Sequence, residues 1–183
     1  MDTGREQITR ACLKNGVKWI FHLDTDVLMP LDGIQKMIEW SEKFNLPVLS
    51  GLYWAKKPMK MPCAWISIGY HEDTMKYDFA PVNVEPHMAK GTIIPVDVTG
   101  TGALLIKADI FKKLDESDPN KPYFQWGVGR KGLLQLSEDF YFCMRCKNEL
   151  GIQVHLATAV KCDHCVDVVR RGSDGEYELP MTI

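Results

Sequence analysis

The chain has 183 residues, 45% apolar and 25% charged, with a formal net charge of -2. This length favours one domain, 1–183, with enough chain to bury a core, and the near-neutral balance excludes nucleic acid as a partner held by a basic surface. No apolar run approaches the roughly 20 residues that cross a bilayer, so no transmembrane segment is expected; the polar N-terminus does not read as a secretory signal, which points to the cytoplasm unless the chain is a piece of something longer.

Thr3-Gly4-Arg5-Glu6 fits a capping box, with Ile8, Ala11 and Cys12 repeating at helical spacing and Gly16 placed where a helix should stop. Val17 to Leu23 reads as a buried strand, with Asp24-Thr25-Asp26 at its C-terminal end. Pro30 breaks the chain, and Ile34 to Phe44 predicts an amphipathic helix that Asp32 can cap. Leu46 to Gly51 is a second strand. Prolines at 58, 62, 81, 86 and 95 cut the stretch from 52 to 98 into short extended pieces. Val96 to Lys107 reads as strand, glycine turn, strand, and Ala108 to Leu114 as a short helix. After a loop from Asp115 to Gly132, Ser137 can cap a helix over Glu138 to Leu150 that Gly151 ends, followed by a strand over Ile152 to Lys161. Ser173-Asp174-Gly175 suggests a hairpin in the tail. The alternation predicts an α/β fold, a mostly parallel sheet flanked by helices. Such sheets bind ligands at the carboxyl ends of their strands, where Asp24 and Asp26 fall.

Three short motifs carry chemistry. Two carboxylates one residue apart at a strand end can point at one cation, and hard oxygen ligands suit Mg2+ or Mn2+. The bland alternative is a solvated turn with two acids. In Ser137-Glu138-Asp139 the acids either answer the helix dipole or include a general base for an incoming hydroxyl. His164, in Cys162-Asp163-His164-Cys165, is either a structural residue after a strand or a third metal ligand.

The order of these elements resembles the GT-A fold, family 2-type nucleotide-sugar glycosyltransferases. The segments that carry the resemblance are FHLDTDVLMP (21–30), VTGTGALLIKADIF (98–111), SEDFYFCMR (137–145) and GIQVHLATAVKCDH (151–164). It implies a GT-A-like, Rossmann-like sheet and transfer of a sugar from a nucleoside-diphosphate sugar donor to a hydroxyl acceptor, with inversion. It assigns Asp24, Asp26 and His164 to Mn2+ or Mg2+, and Arg5, Asp24, Thr25 and Asp26 to the donor. Asp139 becomes the base, with Glu138 beside it. Gly100, Thr101 and Gly102 line the sugar and acceptor pocket, and Trp126, like Trp54 and Trp65, is a candidate to stack on a sugar face.

Two departures shape the expectation. Members of that family begin with further strands that hold the nucleotide base, and this chain starts one helix before the Asp-x-Asp strand. The expected fold therefore lacks the first nucleotide-binding strands: either the chain is a fragment, or it is an unusually small version, or a second copy or a partner covers the exposed sheet edge. The Gln-x-x-Arg-Trp motif of processive members is absent, which implies single-sugar transfer. Two other readings stay open. A haloacid dehalogenase-type phosphohydrolase also carries Asp-x-Asp after a strand, and Val48-Leu49-Ser50 imitates its second motif. A zinc-binding structural module would use Cys143-x-x-Cys146 and Cys162-x-x-Cys165, with 15 residues between the two pairs.

Overall fold

The computed structural model describes residues 3–55, 61–74, 76–128 and 134–165. The suggested tail hairpin around Ser173 lies outside them.

The described chain opens with helix α1 (Thr3–Lys14), strand β1 (Trp19–Leu23), the short β2 (Val27–Leu28), helix α2 (Gly33–Phe44) and strand β3 (Val48–Leu52). The proline-cut middle holds β4 (Ala64–His71), β5 (Lys76–Pro81), the one-turn helix α3 (Glu85–Met88), β6 (Ile93–Val96) and β7 (Val98–Thr99). Then come β8 (Ala103–Lys107), α4 (Ala108–Ser117), β9 (Gly127–Val128), β10 (Leu134–Leu136), α5 (Glu138–Leu150), β11 (Val154–Lys161) and β12 (Asp163–His164).

The main sheet has five strands in the order β1-β8-β3-β11-β6. Of its pairings, β3 with β11 is parallel, while β1 with β8, β8 with β3 and β11 with β6 are antiparallel. The expected mostly parallel sheet is thus corrected to a mixed, mainly antiparallel one. The physical reason lies in the inserted strands. β1, β3 and β11 run in one direction, as strands joined through helices should. β8 returns from a glycine turn and slots between β1 and β3 in the opposite sense, and β6 adds antiparallel at the far edge.

Strand alternation gives the sheet two apolar faces. Ile20, Val48, Leu104, Ile106, Val154 and Leu156 meet Phe111 and Leu114 of α4 and Phe142 and Cys146 of α5. Leu49, Ala103, Leu105 and Ala157 face the other way, towards Met37 of α2. The result is a helix–sheet–helix sandwich, in which each large side chain fully buried contributes about 1.5–3 kcal/mol. A smaller sheet, β5-β4-β7, hangs beside it, and β12 pairs with β2.

The helix ends follow local chemistry. Asn45 closes α2 at φ 53°, and Gly151 closes α5 at φ 62°, where its missing Cβ removes the strain. The expected capping box is corrected: Glu6 lies within α1, and its Oε2 accepts the backbone N–H groups of Tyr123 (2.8 Å) and Phe124 (3.3 Å). Its other oxygen pairs with Arg10 at 2.7 Å. Glu6 thus ties α1 to the loop before β9 rather than capping its own helix. Among the described residues no helix is long and apolar enough to cross a membrane.

Candidate functional site

The turn after β1 carries Asp24, Thr25 and Asp26. It is anchored at both ends: the Asp24 N–H donates to the Gly102 carbonyl at 3.0 Å, and Val27 N–H returns to the Asp24 carbonyl at 3.1 Å. Thr25 sits exposed at its tip. The β12–β2 pairing places His164 opposite Val27, and Cys165 N–H donates to the Asp26 carbonyl at 2.7 Å. Residues 24–26 and 164 are therefore held together by backbone hydrogen bonds.

Arg5 reaches this turn from α1. Its guanidinium bonds Asp24 Oδ1 at 2.5 Å and Glu138 Oε1 at 2.6 Å. A planar fork of donors suits two carboxylates at once. Glu138 and Asp139 stand at the start of α5. Ser137 takes the N-cap position but its hydroxyl makes no cap bond; it donates instead to Asp139 Oδ1, which also accepts the Phe140 N–H at 2.9 Å. Burial pushes the Asp139 carboxyl above its ordinary value, against the opposing pull of those two hydrogen bonds and of Arg5. That places the acid closer to the range of a general base.

His164 has a defined proton. Its Nδ1 lies 2.8 Å from the Trp54 carbonyl, which can only accept, so Nδ1 carries the hydrogen and Nε2 of the neutral ring offers a lone pair. Nε2 faces Asp26 Oδ2 at 3.6 Å, too long for a hydrogen bond. It is of the order of the spacing, about 3 Å, between neighbouring ligands of a small divalent cation. A ring nitrogen fixed by a carbonyl is also the usual outer support of a metal-binding histidine. Asp26 and His164 fit such an ion. Asp24 is turned to Arg5, and among the described residues no three His, Cys, Asp or Glu side chains gather as a ready-made metal cluster. The structure thus brings Asp26 to His164 and Asp24 to Arg5, but not all three expected ligands to one point.

The glycine segment runs between these groups. Gly100 N–H donates to the Cys63 carbonyl at 3.3 Å, and Gly102 N–H donates to the Tyr53 hydroxyl at 2.9 Å. A Cβ on Gly100 would overlap that hydroxyl and stand 3.4 Å from Asp139 Oδ2, which puts the glycine backbone directly against the acid. Thr101 is buried. Trp126 remains 42% exposed, two residues beyond Phe124, whose ring meets His22 at 5.2 Å. Trp65 packs at a tilt against Phe140, ring centroids 4.9 Å apart, and belongs to the packing.

Three residues near the turn were not singled out from the sequence. Tyr53 follows β3 and meets His164 edge-on at 5.8 Å. Cys63 is pushed to about 12 by burial, then by Asp139 and Asp24, so it stays a thiol. His22, buried under the turn, is held down at about 4 by burial and by Arg5. Of these, Tyr53 left a trace: two glycines around Thr101 imply something bulky close to the backbone.

The rival motifs are placed as well. Cys143 and Cys146 are buried on the α5 side of the main sheet, while Cys162 belongs to the α2 side. The two cysteine pairs therefore do not converge. Ser50 lies fully buried within β3, its hydroxyl engaged with Thr99 and the Gly51 carbonyl.

No family model matches the chain, and no curated protein does. Among solved structures it is similar to A197 from STIV, with a TM-score of 0.55 and 18% identity over 97% of this chain and 74% of that one. At this identity the likeness speaks for the fold alone, since one fold serves many functions.

Proposed function

We propose that the chain carries the catalytic centre of a metal-dependent glycosyltransferase, which moves one sugar from a nucleoside-diphosphate sugar to a hydroxyl acceptor with inversion. The observation that carries this reading is the convergence of Asp24, Asp26, Arg5, Asp139 and His164, from four distant segments, around the end of β1 and the glycine segment.

Asp26 and His164 would hold Mn2+ or Mg2+, with Asp24 beside them. Bound there, the cation would offset charge on the leaving diphosphate. Arg5 supplies a second positive group next to the donor acids. Asp139 takes the proton of the acceptor hydroxyl at Oδ2 as its oxygen bonds the sugar carbon and the bond from that carbon to the diphosphate breaks. Trp126 offers a face for a sugar ring. The raised Asp139 and the two carboxylates, Asp24 and Glu138, held by one guanidinium both support this assignment.

The test begins with Mn2+ titration followed by calorimetry, on wild type and Asp26→Ala. Loss of one of the ligands should weaken binding by more than the about 10- to 100-fold that an outer-shell partner costs. A panel of nucleoside-diphosphate sugars, read out as nucleoside diphosphate released in the presence of an acceptor, then tests transfer. Equal Mn2+ affinity in the two proteins would remove Asp26 from the site, and no turnover of any donor would sink the reading.

A further inference from the structure

We propose that Tyr53 is a positioning residue that sets the Gly100–Gly102 turn and His164 in register with each other, an assignment that rests on the glycosyltransferase reading of the same site. Tyr53 is 4% exposed, and its contacts run in two directions. In one, its hydroxyl accepts the Gly102 N–H, and the carbonyl of the same glycine accepts the Asp24 N–H at 3.0 Å. The position of the ring is thereby transmitted through one residue to the donor turn. In the other, its ring edge supports the imidazole of His164, and the carbonyl of the next residue, Trp54, holds His164 Nδ1–H. One short segment after β3 therefore touches His164 directly and reaches the Asp24–Asp26 turn through Gly102.

The glycines are the imprint of this ring. A Cβ on Gly102 would come within 2.7 Å of Tyr53 Cζ and 2.9 Å of its hydroxyl, distances real Cβ atoms do not show. On Gly100 it would run into the hydroxyl oxygen itself. Tyr53 occupies the space that side chains at these positions would need. A plain core aromatic would fill the same volume without the hydroxyl, so the hydroxyl is the part that separates positioning from packing. Burial also holds that hydroxyl neutral, its pKa well above the ordinary value, so it serves as a fixed dipole rather than a charge.

The experiment uses Tyr53→Phe, which keeps the ring and removes the hydroxyl, and has two arms. In the first, thermal unfolding is measured for Gly100→Ala, Tyr53→Phe and the double variant. The alanine should cost clearly less in the Phe background, because the atom it overlaps is gone; additive losses would overturn the proposal. In the second, Mn2+ affinity of the folded Tyr53→Phe protein should fall by about 10- to 100-fold, because the hydroxyl that fixes Gly102, and through it the Asp24–Asp26 turn, is lost. Wild-type affinity in that variant would overturn the proposal too. Should the wild-type protein bind no Mn2+, the metal reading fails, and the unfolding arm alone decides whether Tyr53 sets the glycine turn.

Discussion

Arg5 and Glu138 stand 133 positions apart in the chain, yet their side chains meet at 2.6 Å. The same guanidinium holds Asp24, so one residue of α1 staples the turn after β1 to the start of α5. Glu138 is 13% exposed, so losing its cation leaves a mostly buried carboxylate without that partner. Asp24, at 38% exposed, is screened by water and adds less.

Replacing Arg5 with Ala is expected to cost about 1–3 kcal/mol, a fall in Tm of about 2–4 °C for each kcal/mol at this chain length. Lys should rescue poorly, because a single ammonium cannot span two carboxylates as a fork does. Full rescue by Lys in a thermal unfolding series would show that charge alone matters.

Asp139→Asn separates catalysis from folding. Transfer should drop by about 100- to 10,000-fold with donor binding nearly unchanged, while Glu138→Gln serves as the control for the choice of acid. Because burial raises the folded pKa of Asp139, its protonated form favours folding: that contribution is full below the ordinary value of 3.8 and is lost as pH rises through the folded pKa. The Asn variant should therefore be more stable than wild type at pH 7, and the gain should fade towards pH 3.8. Denaturant melts at both pH values check the sign.

His22 predicts the opposite dependence. Its folded pKa of about 4 lies below the ordinary 6.5, so its neutral ring contributes stability that is present above 6.5 and lost as pH falls through 4. The loss is at most about 3 kcal/mol. His22→Gln keeps a partner for the Thr9 hydroxyl, which lies 3.3 Å from Nε2, and should flatten the decline between pH 6.5 and 4. A variant that declines as steeply as wild type would clear His22 of the effect.

β1 borders the main sheet and pairs, among the described residues, with β8 alone. Such a border invites a further strand, and Leu23 on it is 45% exposed. Light scattering should show self-association that Leu23→Lys reduces. A stable monomer at high concentration would mean that this border is not a pairing surface.

Much of the architecture could be read in advance where one residue type has one physical use. Gly151 and the apolar run before Asp24 marked a helix end and a strand, and both lie within a residue or two of where they were expected. Strand partners were not legible, because the Ala103–Lys107 run is equally apolar whichever neighbours it pairs with. The sheet was therefore expected to be mostly parallel. Glu6 misled for a similar reason: a Glu three residues after a Thr accepts amides of its own helix start or, as here, amides 117 and 118 positions away. In the site, the acids and His164 announced themselves by chemistry, but the Arg5–Asp24 contact and Tyr53 depend on tertiary neighbours that spacing cannot carry.

The separation between Arg5 and Glu138 also has a kinetic meaning. Asp139 and His164 are brought to Arg5 and the Asp24–Asp26 turn by long chain closures, and closures of that length are paid late on the way to the native state. A ligand that needs Arg5, Asp26, Asp139 and His164 together finds nothing to hold in the partly folded chain. It should leave the folding rate untouched and slow unfolding instead, so that occupancy lengthens the lifetime of the protein without helping it to form.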